Sequence, residues 1–256
     1  MLAVVRIRAQ PHYRREAFIN GLDSLGYRIE ASGQPKSRQD LLVLWNRMGP
    51  DDRDAERWER DGGTVVIAEN GYIGKDEHGR QLYALSVGQH QHGLAGSEDR
   101  FPRLGIELKP WTQGEHILVC AQRGIGSRLM ASPPQWHVKM MDRLRKMTDR
   151  PLRLRMHPGN QPPKRALEED LQGAHACAIW SSGSGVKALS LGVPVIYDAP
   201  RWICEGAATR EPSSLCTDDA LRLEAFRHMA RNQWRVDEIQ SGEPFRRILA
   251  SVPGSQ

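Results

Sequence analysis

The run Ala176-Cys-Ala-Ile-Trp-Ser-Ser-Gly-Ser-Gly-Val-Lys-Ala-Leu-Ser-Leu-Gly-Val-Pro-Val-Ile196 carries the strongest chemical signal in the chain. A buried strand ends in Ser181, Ser182, Gly183, Ser184 and Gly185 and turns straight into a helix, with Lys187 in its first turn. Such a turn gathers unpaired backbone N–H groups and small hydroxyls at the positive end of a helix dipole, where phosphate binds. Glycine there lets an anion reach the backbone, which any Cβ would hold away. A plain strand-to-helix turn capped by serine fits the loop equally well; Lys187 and the return Gly192-Val-Pro-Val195 favour the anion site.

A second signal is Arg153-Leu-Arg-Met-His-Pro-Gly159. Strand alternation puts Arg153, Arg155 and His157 on one face, an unusual set for a buried strand without an anionic partner. Pro158 ends the strand, so Arg155 and His157 are expected at its carboxyl end; the alternative is an edge strand whose arginines face solvent. A third is Gln122-Arg-Gly-Ile-Gly-Ser127, directly after a strand, where Arg123, Gly124, Gly126 and Ser127 suit a phosphate or sugar. For proton transfer, Glu69 follows a strand and precedes Gly71, with Asp76, His90 and His92 as competitors. The pair His90-Gln-His92 has no third ligand nearby, so no metal is expected. Trp111, Tyr72 and Tyr83 are candidates to stack on a sugar or base, or else to wall the core.

The elements that must position these residues alternate along the chain. Strands are expected at 2–7, 41–45, 64–68 and 81–87, with helices at 11–25 (Phe18, Leu22, Leu25 on one face, Gly26 ending it) and 51–61 (Ala55, Trp58). Residues 88–114 break the rhythm, with several glycines and little periodicity, as in a linker or an ordered active-site loop. A second series follows: strands at 116–120, 152–156, 176–180 and 193–197. Its helices are a first opened by Ser132-Pro-Pro with Trp136, Met140, Leu144 and Met147 on one face, then 164–171, 186–191, 218–232 and 236–249. The βα alternation predicts an α/β fold of two Rossmann-like, parallel-sheet domains facing a cleft, 1–114 and 115–256, with ligands at the carboxyl ends of the strands.

Composition bounds the rest. In 256 residues, 39% hydrophobic and 26% charged residues describe a folded chain, and no apolar stretch approaches a membrane span. Arg6 and Arg8 interrupt the first apolar run, which reads as a strand and not a signal peptide. Four cysteines without CxxC spacing suit a reducing, cytoplasmic setting. The net charge is +5, and only seven of the 36 basic residues are lysine. Arginine suits forked contacts with phosphate, so the excess points either to a polyanionic ligand or to a solvated surface.

Taken together, Arg155-Met-His-Pro158, Ser181-Ser-Gly-Ser184 and Ala188-Leu-Ser-Leu-Gly-Val-Pro-Val195 resemble the carboxyl half of a GT-B glycosyltransferase. More narrowly they resemble the capsular-polysaccharide glycosyltransferases that include the bacterial Kdo transferases. In the first half, Ala68-Glu-Asn-Gly-Tyr-Ile73 resembles that family's acidic turn after a strand. Two departures stand out: Asn70 replaces a second acidic residue, and Lys187 stands where many GT-B enzymes carry a ribose-binding carboxylate. The resemblance implies a nucleotide-sugar donor, as co-substrate with no separate cofactor, its phosphates held by Arg155, His157 and the 181–185 loop. It also implies a metal-independent reaction with one general base, Glu69 first, on the amino-terminal half.

The acceptor is either a glycan or double-stranded DNA bearing hydroxymethylated bases, since compact GT-B enzymes of this size and charge include phage DNA glucosyltransferases. A nucleotide-sugar epimerase and a non-catalytic nucleotide- or DNA-binding module are the rival classes. A DNA acceptor would be contacted by Arg100, Arg103, Arg123 and Arg128, and the base would have to be extruded, with 88–97 as the mobile element. Binding to hydroxymethylated duplex should then fall with salt at a slope of roughly 0.9 in log affinity per neutralised phosphate. A flat response between about 50 and 200 mM salt, or no binding at low salt, leaves the glycan.

Overall fold

The computed structural model describes residues 1–96, 99–159, 161–162 and 165–251. Two compact units emerge. The first comprises Met1–Leu104, Gly126–Arg128 and the chain from Met229 onward; the second comprises Gly105–Ile125 and Leu129–His228. The carboxyl-terminal segment therefore joins the first unit, whereas the sequence expectation kept 115–256 together.

In the first unit, β1 (Leu2–Arg6), β2 (Arg28–Glu30), β3 (Leu41–Trp45), β4 (Thr64–Asn70), β5 (Tyr83–Val87) and β10 (Gln233–Trp234) form one sheet in the order β10-β5-β4-β3-β1-β2. The four strands β2, β1, β3 and β4 run parallel, with Val43 opposite Val66 and Leu44 opposite Ile67. Period-two alternation sorts these apolar runs onto two faces. Leu41, Val43, Val66 and Ala68 pack with Phe18 and Leu22 of α1 (Arg15–Asp23), Ile239 of α7 (Val236–Gln240), and Phe245 and Ile248 of α8 (Glu243–Ser251). Leu42, Leu44, Val65 and Ile67 pack with Ala55 and Trp58 of α2 (Pro50–Arg60). Helix α2 starts on Pro50, Asp51 and Asp52 and ends on Arg57 and Arg60, charges that complement its dipole at both ends.

Several expectations are corrected here. β5 is antiparallel to β4. A parallel return needs a crossover, usually helical, but the connection instead makes a tight turn in which Gly79 N–H bonds Asp76 O and Asp76 N–H bonds Arg80 O. β2 and β10, with three and two residues, are too short to show any period. The closing helix expected at 236–249 is two helices, broken at Gly242, whose φ of +79° lies in the left-handed region.

The second unit holds a four-stranded, all-parallel sheet of β6 (His116–Cys120), β7 (Leu152–Arg155), β8 (Ala174–Ile179) and β9 (Val195–Tyr197), in the order β7-β6-β8-β9. Trp136, Met140 and Leu144 of α3 (Trp136–Arg145) pack with Ile117, Val119, Ala176, Ala178 and Ile196. Met147 lies beyond α3 and is exposed. The short α4 (Leu167–Leu171) begins later than expected, and the expected starting residue, Lys164, lies outside the described residues. Helix α5 (Gly183–Ser190) starts three residues earlier than expected, taking the Ser/Gly loop into its first turn, and α6 is Asp219–Arg231. Among the described residues no helix is long and apolar enough to cross a membrane.

Segment 109–112 is laced to the end of α5: Lys109 N–H bonds Ser190 O at 2.9 Å and Thr112 N–H bonds Gly192 O at 2.8 Å. A Cβ on Gly192 would lie 1.9 Å from Pro110 O, on a residue with φ +74°. Gly192→Ala should therefore cost about 2 kcal/mol or more by forcing backbone apart and adding left-handed strain. Chemical denaturation checks it; wild-type stability in the variant would contradict this packing.

Candidate functional site

In the second unit, three strand ends meet the candidate residues. After β6, Gln122 Oε1 accepts the N–H of Ser181 at 2.6 Å, tying the residues after β6 to those after β8. Ser182 is extended and caps α5, its hydroxyl accepting Ser184 N–H at 3.0 Å, while Gly185 N–H bonds Ser182 O at 3.1 Å. Among the described residues, the N–H groups of Ser182 and Gly183 at this helix start have no partner. The two loop glycines differ. A Cβ on Gly183 would meet open space, whereas one on Gly185 would sit 2.5 Å from Ile179 Cδ1 and 2.8 Å from the Trp202 ring. Packing alone therefore requires glycine at 185, whereas at 183 it does not.

β7 is an edge strand of this sheet, and Arg153 is exposed. Arg155 is not. Its guanidinium pairs with Asp170 of α4 and donates to the carbonyls of Arg165 (3.0 Å) and Ala166 (3.4 Å). The buried Cys120 thiol links this cluster to the loop: hydrogen bonds from Cys177, 3.8 Å away, and Ser184 hold it below the usual thiol range, with help from the Arg155 charge. Lys187 pairs with Glu168 at 2.8 Å, and that bond lowers the Glu168 carboxyl. A carboxylate thus does stand beside α5, supplied by α4 and not by α5 itself. The acidic partners Glu168 and Asp170, like Gln122, were not singled out from sequence.

His157 is exposed. Its Nδ1 accepts Gly159 N–H at 2.9 Å, which leaves Nε2 as the outward donor of the neutral ring. Desolvation, then the nearby Arg123 charge, lowers its pKa. Gly124, with φ +69°, turns the chain after Arg123. Gly126 and Ser127 belong instead to the first unit, where Ser127 Oγ donates to Gln89 Oε1 at 2.6 Å and Arg128 N–H bonds Asp52 Oδ2 at 2.8 Å.

In the first unit, the candidate acids and bases occupy opposite environments. Asp76 is saturated: Oδ1 accepts the N–H groups of His78 (2.9 Å) and Arg80 (2.8 Å), and Oδ2 accepts Arg80 Nε (2.6 Å). Although burial opposes it, these bonds hold the carboxyl below its ordinary range, so Asp76 closes a turn. Glu69 sits on β4 opposite Ala84 of β5, and its Oε1 is buried with no hydrogen-bond partner. Desolvation alone pushes its pKa up to about 7. His90 is buried with neither ring nitrogen bonded, and burial, then Arg47, pushes it down to about 4; His92 is exposed.

Other candidates serve the fold. Arg100 donates to Gln233 O at 2.6 Å and pairs with Glu238, so this buried guanidinium is not a surface phosphate contact. Arg222 covers the Trp111 ring at 4.0 Å, and Tyr83 is a core residue whose hydroxyl donates to His12 O at 2.7 Å. Among the described residues no three His, Cys, Asp or Glu side chains are grouped as metal ligands.

No protein-family description and no curated protein sequence matches the chain. Solved structures do. A KpsC beta-Kdo 2,7 transferase of Thermosulfurimonas dismutans is 12% identical with a TM-score of 0.53, over 88% of this chain and 89% of that one. A KpsC beta-Kdo 2,4 transferase of the same organism is 13% identical with a TM-score of 0.48, over the same shares. At the first of these scores the likeness is one of fold.

The environments of Glu69 and His90 predict a stability optimum. The folded pKa of Glu69 lies above its ordinary 4.5, so its contribution is present below that value and lost as pH rises through about 7. At about 1.36 kcal/mol per pKa unit, that gap amounts to about 3 kcal/mol at high pH. His90, depressed from 6.5 to about 4, contributes above 6.5, and this is lost as pH falls through about 4. Glu69→Gln should raise the melting temperature at pH about 8 and lose its advantage below about 5, while His90→Gln should flatten the acid limb. Parallel pH profiles for both variants would place the burial elsewhere.

Proposed function

We propose that the protein is a GT-B-type glycosyltransferase, moving a sugar from a nucleotide-sugar donor to an acceptor hydroxyl. The observation that carries this reading is Glu69: a carboxylate near the end of a strand, with one buried unpartnered oxygen and a proton affinity near neutrality. A base poised there takes the acceptor proton most effectively near pH 7. The fold likeness to a beta-Kdo 2,7 transferase supports the class, as do the motifs around Arg155 and Ser181.

In the proposed step, Glu69 removes the proton as the acceptor oxygen bonds to the anomeric carbon and the bond to the donor phosphate breaks. The leaving nucleotide keeps that electron pair. The free N–H groups at the start of α5, with Arg155, His157 and Lys187, would take up its charge, so that no metal is required. Because Arg155 and Lys187 are already paired with Asp170 and Glu168, donor phosphate would share or replace those carboxylates. The acceptor assigned here is a glycan. Duplex DNA remains the outcome that a steep salt dependence would reveal; with Arg100 committed internally, it has fewer phosphate contacts to draw on.

Glu69→Gln should lower turnover by ~10²–10⁴-fold with donor affinity intact, and the wild-type rate should rise with a pKa near 7. Arg155→Ala should weaken donor binding by about 10- to 100-fold. It should also destabilise the fold, since Asp170 keeps only the more distant Arg165 at 3.7 Å, and adding Asp170→Ala should restore stability but not donor affinity. Undiminished turnover in Glu69→Gln, or unchanged donor affinity in both Arg155 variants, refutes the corresponding role.

A further inference from the structure

The two edges of the second sheet are treated differently. β9 is covered, because Tyr197 N–H bonds Thr209 O at 2.9 Å and Thr209 N–H bonds Val195 O at 3.1 Å. β7 is open. Ile117 N–H bonds Pro151 O and Ala121 N–H bonds Arg155 O, both at 2.9 Å, so the odd-numbered residues of β7 turn their backbone toward β6. Period-two alternation then aims the N–H and C=O groups of Leu152, Leu154 and Met156 away from the sheet. No hydrogen bond among the described residues reaches them. Their side chains are apolar, yet Leu154 is 43% and Met156 59% exposed. An apolar strand edge left open in this way is a template for another strand.

The pattern is its own complement. An antiparallel copy centred on Leu154 sets Leu154 against Leu154 and Leu152 against Met156. Every outward backbone group then finds a partner, and one face of the joint is wholly apolar. On the other face Arg153, which forms no ion pair among the described residues, falls opposite Arg155 of the second copy. That guanidinium is already offset by Asp170, and the exposed Glu169 stands on the same helix, so the unpaired cation meets carboxylates there. Pro158, with no N–H to offer, ends the open edge.

We propose that β7 is the docking edge for a second copy of this chain, the two strands pairing antiparallel about Leu154 and joining two four-stranded sheets into one. The inference stands independently of glycosyl transfer, because its readouts are mass and proximity.

Sedimentation of the intact chain tests it over roughly 10–500 µM, the range in which a small interface associates. The chain should pass from monomer toward dimer. Leu154→Lys sets two like charges together on the dyad and should weaken the dimer at least about 10-fold. Leu154→Pro removes an N–H that β6 does not use, so it should give a monomer that melts close to wild type. Register is read by a short bismaleimide. Leu154→Cys should cross-link, because its Cα atoms would lie about 5.5 Å apart. Leu152→Cys, displaced from its own copy by about 14 Å along the strands, and the wild-type chain with its half-buried Cys216 should not. A monomer at every concentration, undiminished dimer in both Leu154→Lys and Leu154→Pro, or cross-linking of Leu152→Cys equal to that of Leu154→Cys overturns the proposal.

Discussion

A guanidinium taken out of water must find several acceptors at once, and this constraint organises much of the chain. Arg47 is 1% exposed; it bonds Asp52 and Glu59 of α2 at 2.8 Å each and the carbonyl of Gly88 at 2.6 Å. One side chain thereby fastens a helix to the end of β3 and to the residues after β5. Arg222 does the equivalent in the second unit, donating to the carbonyls of Lys109 and Leu189 and covering Trp111. Lysine could not substitute, because only the planar five-donor fork reaches several fixed acceptors together. Part of the arginine excess that suggests a polyanionic ligand is therefore structural.

The same constraint separates what the sequence reveals from what it hides. Strands at 41–45, 64–68 and 116–120 were legible because dense apolar runs must be covered on both faces, and the helix containing Trp136, Met140 and Leu144 because its spacing makes one stripe. Arg155 was legible as a cation in need of a partner. Asp170 as that partner was not, since pairing across separate elements leaves no periodic trace. The packing need at Gly185 was not legible either, since it arises only once Trp202 lies against it. The direction of β5 depended on a turn closed by Asp76, which in sequence looks like any other carboxylate.

Glu69 and Asp76 illustrate how environment and not residue type assigns work to an acid. Glu69 lies near the end of β4, and Asp76 lies in the segment that joins β4 to β5. Every acceptor position that its neighbours can fill on Asp76 is filled, so its charge is stabilised and its proton affinity falls. Glu69 receives nothing at Oε1, so burial raises its proton affinity instead. An unsatisfied buried carboxylate costs stability, and such costs cluster where a group is kept reactive.

The two-residue strand β10 has a consequence for biosynthesis. Gln233 pairs with Ala84, and its side chain accepts the N–H groups of Tyr72 and Ile73. Tyr72 and Gln233 are 161 positions apart. At roughly 5–20 residues per second on the ribosome, the first sheet waits about 8–30 s for its last strand. The whole of β6 to β9 is translated in that interval, while β5 offers an open edge to any other extended chain. Gln233 and Trp234 thus act as a late-arriving closure, and a chain truncated before residue 233 would leave the ribosome as an aggregation-prone species.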